Sequence, residues 1–232
     1  MPGLSAQKFP FDGNSLLGGL PAADLERLLT YARTKRYRQN ETIFLKDAPG
    51  SSMMAVTSGY VRITAPSPDG KDVTLNVIGP GEVFGEIALI DGKPRTADAV
   101  ALTDCQLLVL ERRDFIPFLR ERPDICIRLL TIVCERLRRT SAQVEDVLFL
   151  DIGGRLARTL LYLASIHGQR ASDGVRIGIR LSQREIASMA GSSRETVNRQ
   201  LQAWQREGLL RIDDAAIVLR DEKALRRLAD GL

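Results

Sequence analysis

The chain has 232 residues, 44% of them hydrophobic and 27% charged, a composition that can bury a core and that excludes a low-complexity disordered chain. This length exceeds the roughly 100 to 200 residues of one domain, so two separately cored domains are expected. The formal net charge of +4 is unevenly placed: 19 Lys+Arg stand against 19 Asp+Glu through Leu150, then 14 against 10 from Asp151 onward. The last third is therefore where a polyanion would be met, although an ordinary basic, solvated surface carries the same excess.

No apolar stretch approaches the roughly 20 residues that cross a bilayer, and MPGLSAQKFPFDG lacks the basic-then-apolar layout of a signal peptide. A cytoplasmic protein without a membrane partner is expected. Three cysteines (Cys105, Cys126, Cys134) without CxxC spacing, and one histidine (His167), argue against a disulfide framework and against any metal site.

In chain order, LPAADLERLLTYA predicts a short helix opened by Pro21, with Leu25, Leu28 and Leu29 on one face. From Glu41 to about Leu110 the apolar runs ETIFL, MMAVTSGYVRIT, VTLNVI and CQLLVLE alternate with turn signals such as APGSS, SPDGKD and GPGE. That pattern predicts about seven or eight short strands in a closed or rolled antiparallel barrel, which leaves few edges to protect.

After Pro123 neither Pro nor Gly occurs until Gly153, and one long helix is expected. Leu130, Val133, Leu137, Thr140, Val144 and Val147 form a stripe with heptad spacing. Such a stripe either lies on the barrel or pairs with a second copy of the chain. Its length of about four heptads and its charged flanks favour a parallel two-stranded coil. Gly153 and Gly154 are expected to break the helix and form a hinge. Two further helices, near RLARTLLYLASI and SQREIASMA, bracket the extended stretch VRIGIRL, and LLRID and AIVLR form an apolar hairpin turning at Asp213 and Asp214.

Two constellations carry chemistry. In LSQREIASMAGSSRETVNRQLQAW, Ser182 and Glu185 form a capping box, Gly191 permits a left-handed turn, and Ser193 caps the next helix. Small Ala187 lets the helices approach, while Val197, Leu201 and Trp204 bury one side of the second helix. Arg194, Glu195, Asn198 and Arg199 are left on the other side as candidate base readers. A helix-turn-helix of this kind enters the major groove, where arginine forks onto guanine and glutamate accepts from cytosine N4. Ser182, Gln183, Arg184, Ser193 and Thr196 are the candidate phosphate contacts. The competing reading is a solvated helix laced with Arg and Glu.

The second constellation is GPGEVFGEIALIDGKPRTADAVA, from Gly79 to Ala101. Gly85, Glu86, Ile87 and Ala88 open a one-turn helix whose amides face an anion, and Arg95, Thr96 and Ala97 return ten residues later. Arg95 supplies a fork for phosphate oxygens, Thr96 a hydroxyl and Glu86 an acceptor for a sugar hydroxyl. Alternatively, Arg95 and Glu86 form a structural ion pair.

The order of these parts, with the phrases GEIALIDGKPRTA, RRTSAQVEDVLFLDIGGRLARTLL and SSRETVNR, resembles the cyclic-AMP receptor protein (catabolite activator) and FNR family of bacterial transcription regulators, from about Gly18 to Leu219. The resemblance implies an α+β chain: a cyclic-nucleotide-binding, jelly-roll-like β-roll over 1–122, a dimerisation helix and hinge over 123–152, and a winged helix-turn-helix over 153–232. It also implies cyclic AMP as an allosteric ligand. Gly85 and Glu86 would meet the ribose and cyclic phosphate, Arg95 and Thr96 the phosphate, and Thr140 and Ser141 of the two subunits the purine, with Arg136 pairing with Glu86.

Threonine at position 96, where cyclic-AMP binders often carry serine, leaves cyclic GMP open. Arg194, Glu195 and Arg199 match the family's base readers for TGTGA-like half-sites in a palindrome, while Asn198 replaces a glycine common in the relatives. Double-stranded DNA, a second copy of the chain and RNA polymerase are the implied partners. The cysteine cluster of oxygen sensors and the haem ligands of gas sensors are missing from the sequence. Two alternatives remain: a regulator that is ligand-independent or senses another small molecule, and a cyclic-nucleotide phosphodiesterase. The latter needs clusters of His and Asp around metals, which one histidine cannot supply, so no enzyme and no catalytic residue is expected.

Overall fold

Strand β3 (Ser52–Ser58) buries nearly every side chain, and so does β8 (Cys105–Glu111), because each is covered on both faces. Alternation sorts their residues. Met54, Val56, Leu107 and Val109 point into one cluster between two sheets, whereas Met53, Ala55, Leu108 and Leu110 point into a second cluster under helices. This is the physical origin of the unbroken apolar runs MMAV and LLVL.

The structure is a computed structural model that describes residues 16–67, 72–213 and 216–231. Those residues fall into two compact units, one ending at Leu137 and the other beginning at Arg138. The first unit holds two antiparallel four-stranded sheets, β1-β8-β3-β6 and β2-β7-β4-β5. The other strands are β1 (Arg33–Tyr37), β2 (Thr42–Phe44), β4 (Val61–Ala65), β5 (Val73–Ile78), β6 (Val83–Phe84) and β7 (Asp98–Ala101). The expected roll is present, and β1 adds a strand ahead of Glu41. RTKRY gives no apolar alternation, since four of its five residues are exposed, and its order comes from pairing with β8.

Helices cover the outer face of the first sheet. α1 (Ala22–Tyr31) follows Pro21 and buries Leu25, Leu28 and Leu29 as predicted. α2 (Glu86–Asp91) contributes Leu89, and α3 (Arg112–Glu121) contributes Phe115, Phe118 and Leu119. α3 was not expected, because Pro117 lies inside it and removes one backbone donor. Three buried side chains in the same cluster outweigh that loss.

α4 (Pro123–Phe149) is the long helix, 27 residues without a break. Its buried side chains, Ile125 and Leu129, lie in its first turns. Along the heptad stripe Leu130, Leu137, Val144 and Val147 are 56%, 66%, 56% and 64% exposed, Thr140 is exposed and Val133 is half-buried. The break does not fall at Gly153–Gly154. It falls at Leu150–Asp151, and α5 (Ile152–His167) already contains both glycines in its first turn. The reason is Asp151, whose carboxylate accepts from the Gly154 amide at 2.8 Å and starts a new helix, which a side chain can do and a glycine pair cannot.

In the second unit α5, α6 (Gln183–Met189), α7 (Arg194–Arg206) and α8 (Glu222–Ala229) accompany the antiparallel sheet β11-β12-β10-β9. The predicted hairpin is β11 (Leu210–Asp213) with β12 (Ala216–Leu219), all four residues of β12 being buried. Asp214 of its turn lies outside the described residues. β10 (Gly174–Ile177) is the start of the extended stretch VRIGIRL, and it pairs with both β12 and the unforeseen β9 (Gly168–Ala171). Asp173 accepts hydrogen bonds from Arg211 and Arg220, which ties the β9–β10 turn to the wing strands. No helix among the described residues is long and apolar enough to cross a membrane.

Candidate functional site

Gly85 ends β6 at φ 77°, a left-handed conformation, and turns the chain directly into α2. Glu86, the first residue of α2, is only 1% exposed. A buried carboxylate needs a partner, and it finds one in Arg136 of α4, whose Nη1 lies 2.5 Å from Oε1. The same guanidinium donates through Nη2 to the Val83 carbonyl. Arg136 thus fastens the first unit's part of α4 to the strand-to-helix turn.

Arg95 is 4% exposed, and no carboxylate among the described residues lies within ion-pair distance of it. The alternative of an Arg95–Glu86 pair is therefore not realised. Nη1 donates to the Gly85 carbonyl at 2.9 Å and Nη2 to Ser52 Oγ at 3.1 Å, while buried Nε has no partner. Burial pulls the Arg95 guanidinium below its ordinary pKa, against the opposing fields of Glu86 and Glu111. Its face lies over the Phe44 ring, with Cζ 4.2 Å from the centroid.

The space is tight. A Cβ at Gly85 would stand 2.6 Å from Arg95 Nη1, and one at Gly50 would stand 2.5 Å from the Ala88 Cβ. Ala88 and Ala97 are buried, whereas Ile87 and Thr96 are exposed beside them. Phe44, Gly50 and Ser52 lie well ahead of the cassette in the chain and carry no motif, so the sequence alone does not single them out.

Gly85, Glu86, Arg95 and Arg136 are thus brought together in the first unit. Thr140 and Ser141 lie one turn further along α4, exposed and in the second unit. The cradle suits a phosphodiester. It offers a desolvated cation with an uncommitted Nε–H, an exposed threonine hydroxyl next to it, and a carboxylate whose charge Arg136 already balances.

The second cluster of expected residues lies on α6 and α7. Ser182 accepts from the Glu185 amide at 3.2 Å, and Glu185 Oε2 accepts from the Ser182 amide at 2.6 Å, so the capping box is complete. Gly191 has φ 61°, and Ser193 Oγ accepts from the Thr196 amide at 3.1 Å. Val197, Leu201 and Trp204 are buried, and Arg194, Glu195 and Arg199 are exposed on α7. Hydrogen bonds from its own amide and from Ser193 hold the Glu195 carboxyl below the usual carboxylate range. Gln183 Nε2 donates to Asn198 Oδ1 at 2.8 Å, which joins the start of α6 to the middle of α7 and leaves the Asn198 amide hydrogens as donors. Arg184 is exposed and Thr196 half-buried nearby.

Two domain families match: the cyclic nucleotide-binding domain over residues 34–122 and the Crp-like helix-turn-helix domain over residues 154–228. A CRP-like cAMP-activated global transcriptional regulator of Mycobacterium tuberculosis is 34% identical over 83% of this chain and 86% of its own length. The chain belongs to the cyclic-AMP receptor protein and FNR family of transcription regulators.

The cyclic AMP receptor protein of Thermus thermophilus is 33% identical over 95% of this chain and 99% of its own. Among solved structures, the c-di-GMP-responsive global regulator CLP of Xanthomonas campestris superposes with a TM-score of 0.75 at 27% identity, covering 87% of this chain and all of that one. Within the family's architecture the first constellation lies in the cyclic-nucleotide-binding domain and the second in the DNA-binding domain, and the chain is a cyclic-nucleotide-binding transcription regulator of the Crp type.

Proposed function

We propose that this family member is a homodimer that binds palindromic, TGTGA-like operators when cyclic AMP occupies the β-roll, with cyclic GMP as the alternative ligand. The observation that carries the ligand reading is Arg95, a buried guanidinium without a carboxylate, which is costly to maintain unless an anion completes it. Arg95 and Thr96 hold the cyclic phosphate, Gly85 and Glu86 its edge and the ribose, with the α2 backbone at Ile87 and Ala88 and the buried Ala97 shaping the wall. Thr140 and Ser141 of the two protomers meet the purine.

The exposed heptad stripe of α4 supports the dimer: an apolar seam of this length pairs with its own copy. Arg136 and Thr140 both lie on α4. A ligand shifts the equilibrium by the amount it prefers one arrangement of that seam over the other. The preferred arrangement sets two copies of α7 about 34 Å apart, the repeat of successive major grooves. There Arg194, Glu195, Asn198 and Arg199 read bases, and Ser182, Gln183, Arg184, Ser193 and Thr196 hold phosphates.

RNA polymerase is the further partner in this reading, and the cytoplasm is where both partners are found. The CLP likeness supports a second reading, in which this roll and helix-turn-helix serve a different small molecule. Calorimetry with cyclic AMP and cyclic GMP separates the two. One site per protomer for either nucleotide is expected, and no heat at millimolar concentration overturns the ligand assignment while leaving the DNA-binding role in place.

A further inference from the structure

Arg95 presents a physical problem that the cassette alone does not solve. A long, flexible cation that is to meet a phosphate must be held in one orientation before the ligand arrives, and the usual device, a carboxylate fork, would cancel the charge the ligand needs. The structure uses neutral groups instead. The Phe44 ring covers one face of the guanidinium at 4.2 Å, and Ser52 Oγ and the Gly85 carbonyl anchor its two terminal nitrogens. Phe44 is itself steadied by buried Phe84, with ring centroids 5.9 Å apart. Of the five guanidinium donors two are committed, and the ring occupies no donor at all.

We propose that Phe44 and Ser52 are positioning residues for the phosphate contact: they fix the plane and the edge of Arg95 without neutralising it. This inference rests on the cyclic-nucleotide reading of the same site. It adds two residues from β2 and β3, outside the cassette and outside α4, whose identity decides how sharply the site distinguishes the two exocyclic oxygens of a cyclic phosphate. An oriented guanidinium contacts those oxygens unequally, and a loose one averages them.

The test uses the Sp and Rp phosphorothioate analogues of cyclic AMP, in which sulfur replaces one exocyclic oxygen or the other. Affinities of the full chain for cyclic AMP and both analogues are measured by calorimetry, with melting of the nucleotide-free protein as the folding check. The wild type should prefer one diastereomer by about tenfold or more. Phe44→Leu, which keeps apolar bulk and loses the ring, should weaken cyclic AMP about tenfold and bring the diastereomer ratio close to one. Phe44→Tyr should restore both values, and Ser52→Ala should lower the ratio where Ser52→Thr keeps it.

Unequal loss is the signature, because a merely structural role would weaken all three nucleotides in parallel and leave the ratio as it was. A preserved ratio in both Phe44→Leu and Ser52→Ala overturns the inference. Wild-type protein that binds none of the three nucleotides instead overturns the functional reading beneath it.

Discussion

Replacing Arg95 by methionine separates function from stability in a direction that a purely structural arginine would not show. On the losing side, the nucleotide-free protein gives up two hydrogen bonds, to the Gly85 carbonyl and Ser52 Oγ, and the stack on Phe44. Those contacts are worth about 1–2 kcal/mol each. On the gaining side, a desolvated cation without a counter-ion disappears, which relieves several kcal/mol, and a flexible apolar chain fills the space. The two sides nearly cancel, so melting of the nucleotide-free variant should stay within a few degrees of the wild type or rise, at about 2–4 °C per kcal/mol.

Binding behaves differently. Two charge-assisted bonds to a phosphate at about 1.5–3 kcal/mol each amount to a loss of at least about a hundredfold in affinity. Calorimetry for affinity and scanning calorimetry for stability give both numbers. If Arg95→Met binds cyclic nucleotide within a few-fold of the wild type, or if the nucleotide-free variant loses more than about 3 kcal/mol, the guanidinium is a strut and the phosphate assignment fails.

Other expectations follow from single contacts. Glu195→Ala should cost about 1–3 kcal/mol of discrimination at one base pair of each half-site while binding to unrelated duplex stays equal or tightens, read by competition anisotropy. Leu137, 66% exposed in one chain, should tolerate Leu137→Glu without loss of fold, and sedimentation should then find single protomers with little operator affinity. Arg211 and Arg220 hold the Asp173 carboxyl below its ordinary value, so its contribution to the wing is present above the unfolded carboxylate value and lost as pH falls through the lower folded one. Melts between neutral pH and pH 3 should therefore show an acid-sensitive component that Asp173→Asn removes, and identical acid profiles would contradict it. Burial pushes the Cys105 thiol up to about 11, so iodoacetamide at pH 8 should leave it unmodified in the native protein and label it after denaturation, as peptide mass spectrometry would show.

What the sequence disclosed depended on how local the cause was. The helix-turn-helix was legible because each of its devices, the Ser182–Glu185 box, Gly191 and the Ser193 cap, acts within about four residues. The strands of the roll were legible from their apolar runs. β1 and β9 were not, since their order comes from pairing with β8 and β10 and their own residues are mostly charged or polar. α8 follows local signals as well: Asp221 caps it, Glu222 opens it, and Arg226 and Arg227 lie in its last turn.

The helix break falls ahead of the two glycines, because the capping carboxylate of Asp151 decides where one helix stops and the next starts. In the first constellation the cassette motif named Gly85, Glu86 and Arg95, which the fold brings together. Of the groups that hold Arg95, the Gly85 carbonyl lies within the cassette, but the Ser52 hydroxyl comes from 43 residues away and the Phe44 ring from further still, distances at which spacing rules say nothing.

The most direct measurement is a titration of a fluorescent palindromic TGTGA duplex with the protein, followed by anisotropy, with cyclic AMP, with cyclic GMP and without nucleotide. The proposed function predicts saturation at two protomers per duplex, a loss of binding when the half-sites are scrambled, and tighter binding in the presence of one of the nucleotides. Equal affinity for scrambled duplex, or curves that superpose with and without both nucleotides, would contradict it.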